Sequence, residues 1–373
     1  MLILKSIIIM RGSTRIIISL VLVVVIVGSV LINRDKKIYH DQYRASTDLA
    51  ECSVTFDTNP AGSSGLESAG FEDYRNPAGI VENDTLRITL EARQAEWQPW
   101  GPDGPAIYTH VFAADGQLPR VPGPDSLTFP GSPIILTRAE PTEITVHNQT
   151  DVPLGVHWHG LELESWSDGV PGWSGVPGSV IPAVQPGSSF SVRMTPPRSG
   201  TFMYHVHSEP GHQLAQGLYG PFLVIDPDEE WNPKTDRYFI LGSLGSGDDP
   251  PTAVNGEFEP DPMEFTAGET YRLRFMHISP DDNKHVSLLK NGEPVAWQYI
   301  AKDGADLPPN QVGIISAELD IHVGETYDFL WMPEVSGSYT LNILTTFDQG
   351  APAFPREAPE PHRAEVEFRV YDP

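Results

Sequence analysis

Four histidines stand in two pairs of identical spacing: His157 and His159 in "GVHWHGLELESWSDGVPGWSG" (Gly155 to Gly175), and His205 and His207 in "TFMYHVHS". Residues two apart in an extended chain project to one face. Each H-x-H pair therefore presents two imidazoles together. Trp158 faces the other way in the first segment, as do Phe202, Tyr204 and Val206 in the second. The apolar face suits packing between sheets, and the histidine face suits a metal. Four imidazoles fit copper or zinc, and a ligand set poor in carboxylate argues against calcium or magnesium. A single strand histidine is ordinarily a hydrogen-bonded core or surface residue, whereas two pairs at ligand spacing mark a metal site. His277, His322 and His362 have no such companion and read as ordinary hydrogen-bonded or surface residues. Trp158, Trp166 and Trp173 read either as walls of the site or as rings buried between sheets.

The elements that must position these residues are short strands. The chain of 373 residues carries 33 Gly and 36 Pro, a composition of turns rather than long helices. "TLRITLEA", "EITVHN", "LGVHWHGLEL", "SFSVRM", "GTFMYHVHS" and "YGPFLVID" read as strands. A second set follows "DPDEEWNPKTD": "RYFILGSL", "TYRLRFMHIS", "HVSLLKNG", "ELDIHVGETYDFLWM", "SYTLNILTT" and "AEVEFRVYD". Strands at this spacing indicate β-sandwiches or barrels, and no helical period lasts long enough to compete. Pro186 to Ser208 aligns without gaps on Val323 to Thr345, matching Gly187 to Gly324, Phe190 to Tyr327, Pro196 to Pro333 and Gly200 to Gly337. The sequence therefore reads as two copies of one fold, with the boundary near Asp226 to Asp236. The expected organisation is an N-terminal segment over residues 1–37, a linker over 38–80, a first domain over 81–228 that carries the histidines, and a second over 229–373.

With these pieces in place, the sequence resembles the laccase-like multicopper oxidases, a family of cupredoxin-domain proteins. The resemblance rests on "VPGP" (Val121 to Pro124), "VHWHGLEL", "SDGVPGWSG" and "SGTFMYHVHSEPGHQLAQGLYGPFLVIDP", in the order of the family's first domain. Residues 230–372 resemble its middle domain through "YRLRFMHIS", "AKDGADLPPNQV" and "VGETYDFLW". The resemblance implies an all-β fold of two cupredoxin-like Greek-key β-sandwich domains after an N-terminal hydrophobic segment, with copper as cofactor. It implies that His157 is a type 2 copper ligand and that His159, His205 and His207 are type 3 ligands. Asp168, in "SDG", resembles the carboxylate that assists proton delivery during dioxygen reduction.

The sequence also departs from the family pattern, which takes eight histidines and a cysteine-ligated type 1 copper. In the internal repeat His205 and His207 align with Asn342 and Leu344. "KHVSLL" aligns with "VHWHGL", retaining His285 and placing Ser287 opposite His159. Val206 stands where the "HVHSEPGHQLAQGL" stretch would need a cysteine, and the spacing to the trailing His212 is one residue too long for that motif. Cys52, the one cysteine, lies outside the domains and reads as an unpaired thiol in a linker. The expectation is half of a trinuclear copper site without a type 1 copper. A complete oxidase then needs a cysteine-containing cupredoxin partner or a homo-oligomer. The alternative is a non-enzymatic copper-binding or scaffold protein, and copper nitrite reductase-like chemistry is disfavoured because it too needs a thiolate-bound copper.

The segment Ile16 to Ile32 has no charge and is flanked by Lys5, Arg11 and Arg15 on one side and by Arg34, Lys36 and Lys37 on the other. It reads as a membrane anchor or a signal segment; the absence of an A-x-A-like cleavage site favours the anchor. Either implies an extracytoplasmic protein, periplasmic or at the cell surface. The formal charge of −26 argues against nucleic acid as a partner.

Overall fold

In the strand Thr85–Trp97, Leu86, Ile88, Leu90 and Ala92 are buried, and so are Ala95 and Trp97. The buried positions change from even to odd after Ala92. A strict alternation rule takes that change for the end of the strand, which is why the sequence suggested only its first half. The next strand, Ile107–Asp115, was not anticipated. It buries Thr109, His110, Val111 and Phe112 in succession and so shows no alternation to read. The computed structural model describes residues 69–70, 78–100, 104, 106–115, 127–207, 210–243, 251–280, 282–346 and 362–373. The expectations for Ile16–Ile32, Cys52 and "VPGP" lie outside these residues. Among the described residues no helix is long and apolar enough to cross a membrane.

The fold is all-β, with two cupredoxin-like sandwiches. Its one α-helix among the described residues, Pro210–Ala215, is too short to show a period in sequence. In the first sandwich, one sheet runs Ser189–Met194, Thr142–Asn148, Thr85–Trp97, Ile80–Glu82, with Ile107–Asp115 also on Thr85–Trp97. The facing sheet runs Ile134–Thr137, Tyr219–Ile225, Gly200–Val206, Val156–His159. The second sandwich pairs a seven-stranded sheet, centred on Asp236–Ser243, Tyr271–His277 and Thr326–Trp331, with a six-stranded sheet centred on Arg363–Tyr371, Gly337–Thr346 and Asn283–Lys290.

The internal repeat has a structural counterpart. Ser189–Met194 and Gly200–Val206 lie in opposite sheets of the first sandwich, and Thr326–Trp331 and Gly337–Thr346 lie in opposite sheets of the second. Each pair carries the chain across its core. The stretch "ELDIHVGETYDFLWM", read above as one strand, is two: Glu318–Ile321 and Thr326–Trp331, in different sheets, separated by a turn through Gly324.

Each sandwich has its own apolar core. Trp158, Tyr204, Phe202 and Phe222 anchor the first; Trp297, Trp331, Phe329 and Phe368 anchor the second. Truncating a ring such as that of Trp158, which is fully buried, costs about 3–5 kcal/mol. The strand Gly200–Val206 is buried along its whole length, on both faces. Phe202, Tyr204 and Val206 enter the first core. On the other face Thr201 donates its hydroxyl to Asp328 Oδ1 at 2.6 Å and accepts from Arg274 Nη1 at 2.8 Å, while Thr326 Oγ1 donates to the Thr201 carbonyl at 2.9 Å. Arg274 is buried and forks onto Asp236, with contacts of 2.6 and 2.7 Å. Arg272 adds a 2.6 Å contact to Asp328. A strand of the first sandwich is thus held at its start by a buried charge network of the second.

Candidate metal centre

Strand register brings the histidine pairs together. His157 lies directly opposite His205, and Trp158 opposite Tyr204. Val156 and Trp158 are buried, Trp158 against Tyr204 and Phe222 with ring centroids 5.9 and 5.7 Å away. The alternate residues His157 and His159 therefore face away from the core. Ring centroids are 5.4 Å apart for His157 and His159, 5.4 Å for His157 and His205, and 5.5 Å for His159 and His205. One nitrogen from each of these three rings lies within 4.8 Å of the others. His207 joins at the edge: its ring is 5.6 Å from His157 and 5.7 Å from His205. The strand ends at Val206, but the His207 amide continues the ladder to the Gly155 carbonyl at 2.8 Å. That leaves the His207 side chain exposed.

Hydrogen bonds fix which nitrogen each ring presents. His157 donates its Nδ1–H to the main-chain carbonyl of Asp168 at 3.0 Å, and His205 donates its Nδ1–H to the Val206 carbonyl at 2.9 Å. A carbonyl only accepts, so both rings keep a bare Nε2. His205 Nε2 faces His159 Nδ1 at 3.3 Å. The Asp168 carboxylate sits 3.4 Å from His157 Nδ1 and accepts from Ser174 Oγ at 2.8 Å. Burial lowers the His157 pKa, that of His159 to about 4 and that of His205 to about 3; the neighbouring imidazoles push the same way. All three are neutral near pH 7. Converging neutral imidazoles with outward N–H groups anchored on carbonyls are a donor set suited to a transition metal.

The five residues singled out in sequence, His157, His159, His205, His207 and Asp168, thus stand in one place. The anchoring carbonyls of Asp168 and Val206 carry no sequence signal, because any residue type supplies a carbonyl. Trp158 is a core residue, while Trp166 and Trp173 are exposed, at 43% and 78%. The proposed match of His285 to His157 is corrected by the ladder. Asn342, which aligns with His205, pairs with Ser287, so Ser287 holds the His157 position and His285 falls outside it, hydrogen-bonded to Asp320 at 2.8 Å. His277 is fully buried with Nε2 3.2 Å from Asp282, and His322 lies 3.3 Å from Glu325. Among the described residues, the histidines of the first sandwich form the one cluster at metal-ligand spacing.

Residues 126–229 match the family model described as Multicopper oxidase. The chain is 34% identical over 169 residues to Laccase 1 of Metarhizium acridum, covering 44% of this chain and 21% of that one. It is 26% identical over 273 residues to the Copper resistance protein A homolog of Pseudomonas syringae pv. tomato, covering 57% of this chain and 44% of that one. It therefore spans less than half the length of these relatives. Among solved structures, the fold resembles Blue Copper Oxidase from Nitrosomonas europaea, with a TM-score of 0.56 and 22% identity over 77% of this chain and 86% of that one. It also resembles the McoA 2F4 variant from Aquifex aeolicus, with a TM-score of 0.62 and 20% identity over 83% of this chain and 66% of that one. The chain is a multicopper oxidase-like protein, and copper is the cofactor that its relatives imply.

Proposed function

We propose that this is an exported, extracytoplasmic copper-binding protein of the multicopper oxidase type, in which His157, His159, His205 and His207 hold copper. The observation that carries the reading is the approach of His205 Nε2 to His159 Nδ1 at 3.3 Å, beside a His157 Nε2 left bare by the same kind of carbonyl anchor. Copper, when bound, would supply electron transfer between a reductant and dioxygen. The chain's own contribution is to orient the rings, keep them neutral, and place the Asp168 carboxylate where it can hold or pass a proton.

In this reading the chain supplies half of a trinuclear site and no type 1 copper, and oxidase turnover needs a cysteine-containing cupredoxin partner or a second copy. The alternative is a copper-binding or scaffold protein without turnover. The buried Ser287 and Asn342, at positions where the first sandwich has His157 and His205, support the view that the second sandwich contributes no ligands of its own. Copper analysis of the purified full chain tests the proposal. Bound copper in the wild type that is lost in His157→Ala and His205→Ala supports it, and a wild-type chain that retains none overturns it. Oxygen uptake with phenols or reduced metal ions then separates oxidase from binding protein.

A further inference from the structure

A cleft of about 720 Å³ opens on the outer face of the first sandwich, within the range of about 300–1,000 Å³ that small-molecule sites occupy. Strand register builds one part of its lining. Glu143 stands opposite Arg87 on one neighbouring strand and opposite Arg193 on the other. The flanking residues Ile88, Ile144 and Val192 are buried, so the row Arg87–Glu143–Arg193 faces outward. One carboxylate thus meets two guanidiniums: Glu143 accepts from Arg87 Nη1 and, at 2.7 Å, from Arg193 Nε. The row keeps a net positive charge. The Arg193 side chain is 83% exposed, and its two Nη groups have no partner among the described residues. They remain available for a forked contact with a second carboxylate.

The rest of the charged lining comes from the loop after the strand Val156–His159. Here Glu162 is matched by Arg198, whose Nε lies 2.8 and 3.0 Å from its two carboxylate oxygens. The Glu164 carboxylate is exposed and has no ion pair or hydrogen bond among the described residues. Its main chain is nevertheless fixed, because the Glu164 carbonyl accepts from Ser167 N at 2.8 Å and from Asp168 N at 3.2 Å. Ser167 Oγ in turn accepts from Arg193 N at 3.4 Å, which ties this loop to the strand that carries Arg193. Leu163 and Met194 add apolar surface to the lining.

We propose that this cleft binds a small zwitterion, with a carboxylate on the free Nη groups of Arg193, an ammonium on Glu164, and an apolar body against Leu163 and Met194. A ligand of one sign does not satisfy both groups. A simple anion is repelled by Glu164, and a simple cation by the Arg87–Arg193 pair. The site is separate from the histidine cluster and does not depend on the copper reading.

Leucyl-leucine serves as the probe, since it carries both charges on an apolar body. N-acetyl-leucyl-leucine lacks the ammonium, and leucyl-leucine amide lacks the carboxylate. Equilibrium dialysis uses the full chain at low ionic strength, where exposed charges are least screened. Saturable binding of the dipeptide is expected, with each derivative weaker by at least about threefold, the scale of an exposed ion pair. Arg193→Gln should erase the difference between the dipeptide and its amide. Glu164→Gln should erase the difference between the dipeptide and its N-acetyl form. Both side chains are exposed, so neither substitution disturbs the core. Absence of saturable binding in the wild type overturns the inference, as do equal affinities for the three compounds or wild-type preferences in either variant.

Discussion

Asn342 donates its side-chain amide to Ser287 Oγ at 3.2 Å, at the ladder position where the first sandwich sets His205 opposite His157. The same site on the same fold carries two facing imidazoles in one sandwich and a buried hydroxyl–amide pair in the other. Copper content should follow the first pair alone. His205→Asn, which gives the first sandwich the chemistry of the second, is expected to lower bound copper at least tenfold, as is His157→Ser. Asn342→Leu should leave it unchanged. Metal analysis after desalting decides between these outcomes, and copper loss in Asn342→Leu would mean that the second sandwich takes part.

The metal-free protein should lose stability in acid over a defined window. His159 and His205 have folded pKa values of about 4 and about 3, below the ordinary histidine value of 6.5, chiefly through burial. Between those limits the unfolded chain binds protons that the folded chain refuses, so stability falls as pH drops. The stabilising contribution is intact above about pH 6.5 and is lost progressively toward pH 3–4. Urea midpoints measured from pH 7 to pH 4 should decline. In the His159→Gln and His205→Gln double variant the decline should be shallower.

Asp168 has two separable roles, one through its main chain and one through its carboxylate. Asp168→Asn keeps the carbonyl that anchors His157, so it should bind copper as the wild type does. Any dioxygen uptake that can be reconstituted should fall by roughly 10²-fold or more. Gly169→Ala should do the reverse of sparing the site: Gly169 has φ +83° and an added Cβ would lie 1.8 Å from the Val156 carbonyl. That clash displaces the Asp168 carbonyl, and both copper affinity and thermal stability should drop. Equal copper loss in both variants would show that the carboxylate, not the carbonyl, is the anchor.

The link between the sandwiches should be strong and local. Asp328 is buried among Arg272, Arg274 and Thr201. Removing it leaves the buried Arg274 with Asp236 as its remaining carboxylate and takes the carboxylate from Arg272, so Asp328→Ala is expected to destabilise by about 3 kcal/mol, the low end for a broken buried pair. Thr201→Val removes hydrogen bonds with both Asp328 and Arg274 and should cost about 1–3 kcal/mol. Denaturant titrations measure both, and a Thr201→Val chain as stable as the wild type would show that the network holds without its hydroxyl.

Much of the site was legible in the sequence because its signal is periodic. Two residues apart on a strand means one face, and that alone placed His157 with His159 and set Trp158 on the core side. The placement of His205 beside His157 follows from ladder register, which sequence spacing does not fix. His285 illustrates the limit: by local likeness it matched His157, but the ladder shifts it by two residues. The second half of Thr85–Trp97 and the whole of Ile107–Asp115 were lost where burial departs from alternation. The carbonyls of Asp168 and Val206 were invisible for a different reason. They are backbone atoms brought in by tertiary folding, and residue identity says nothing of them.

The strand Gly200–Val206 has no solvent face: the first core covers one side and the second sandwich covers much of the other. The histidine-bearing sandwich is therefore not a module that can be cut free. A fragment ending near Ile225 would bare the Thr201 face to water and leave Arg274 and Asp328 in the discarded half. A shortened chain that keeps the histidine cluster in place must therefore carry both sandwiches.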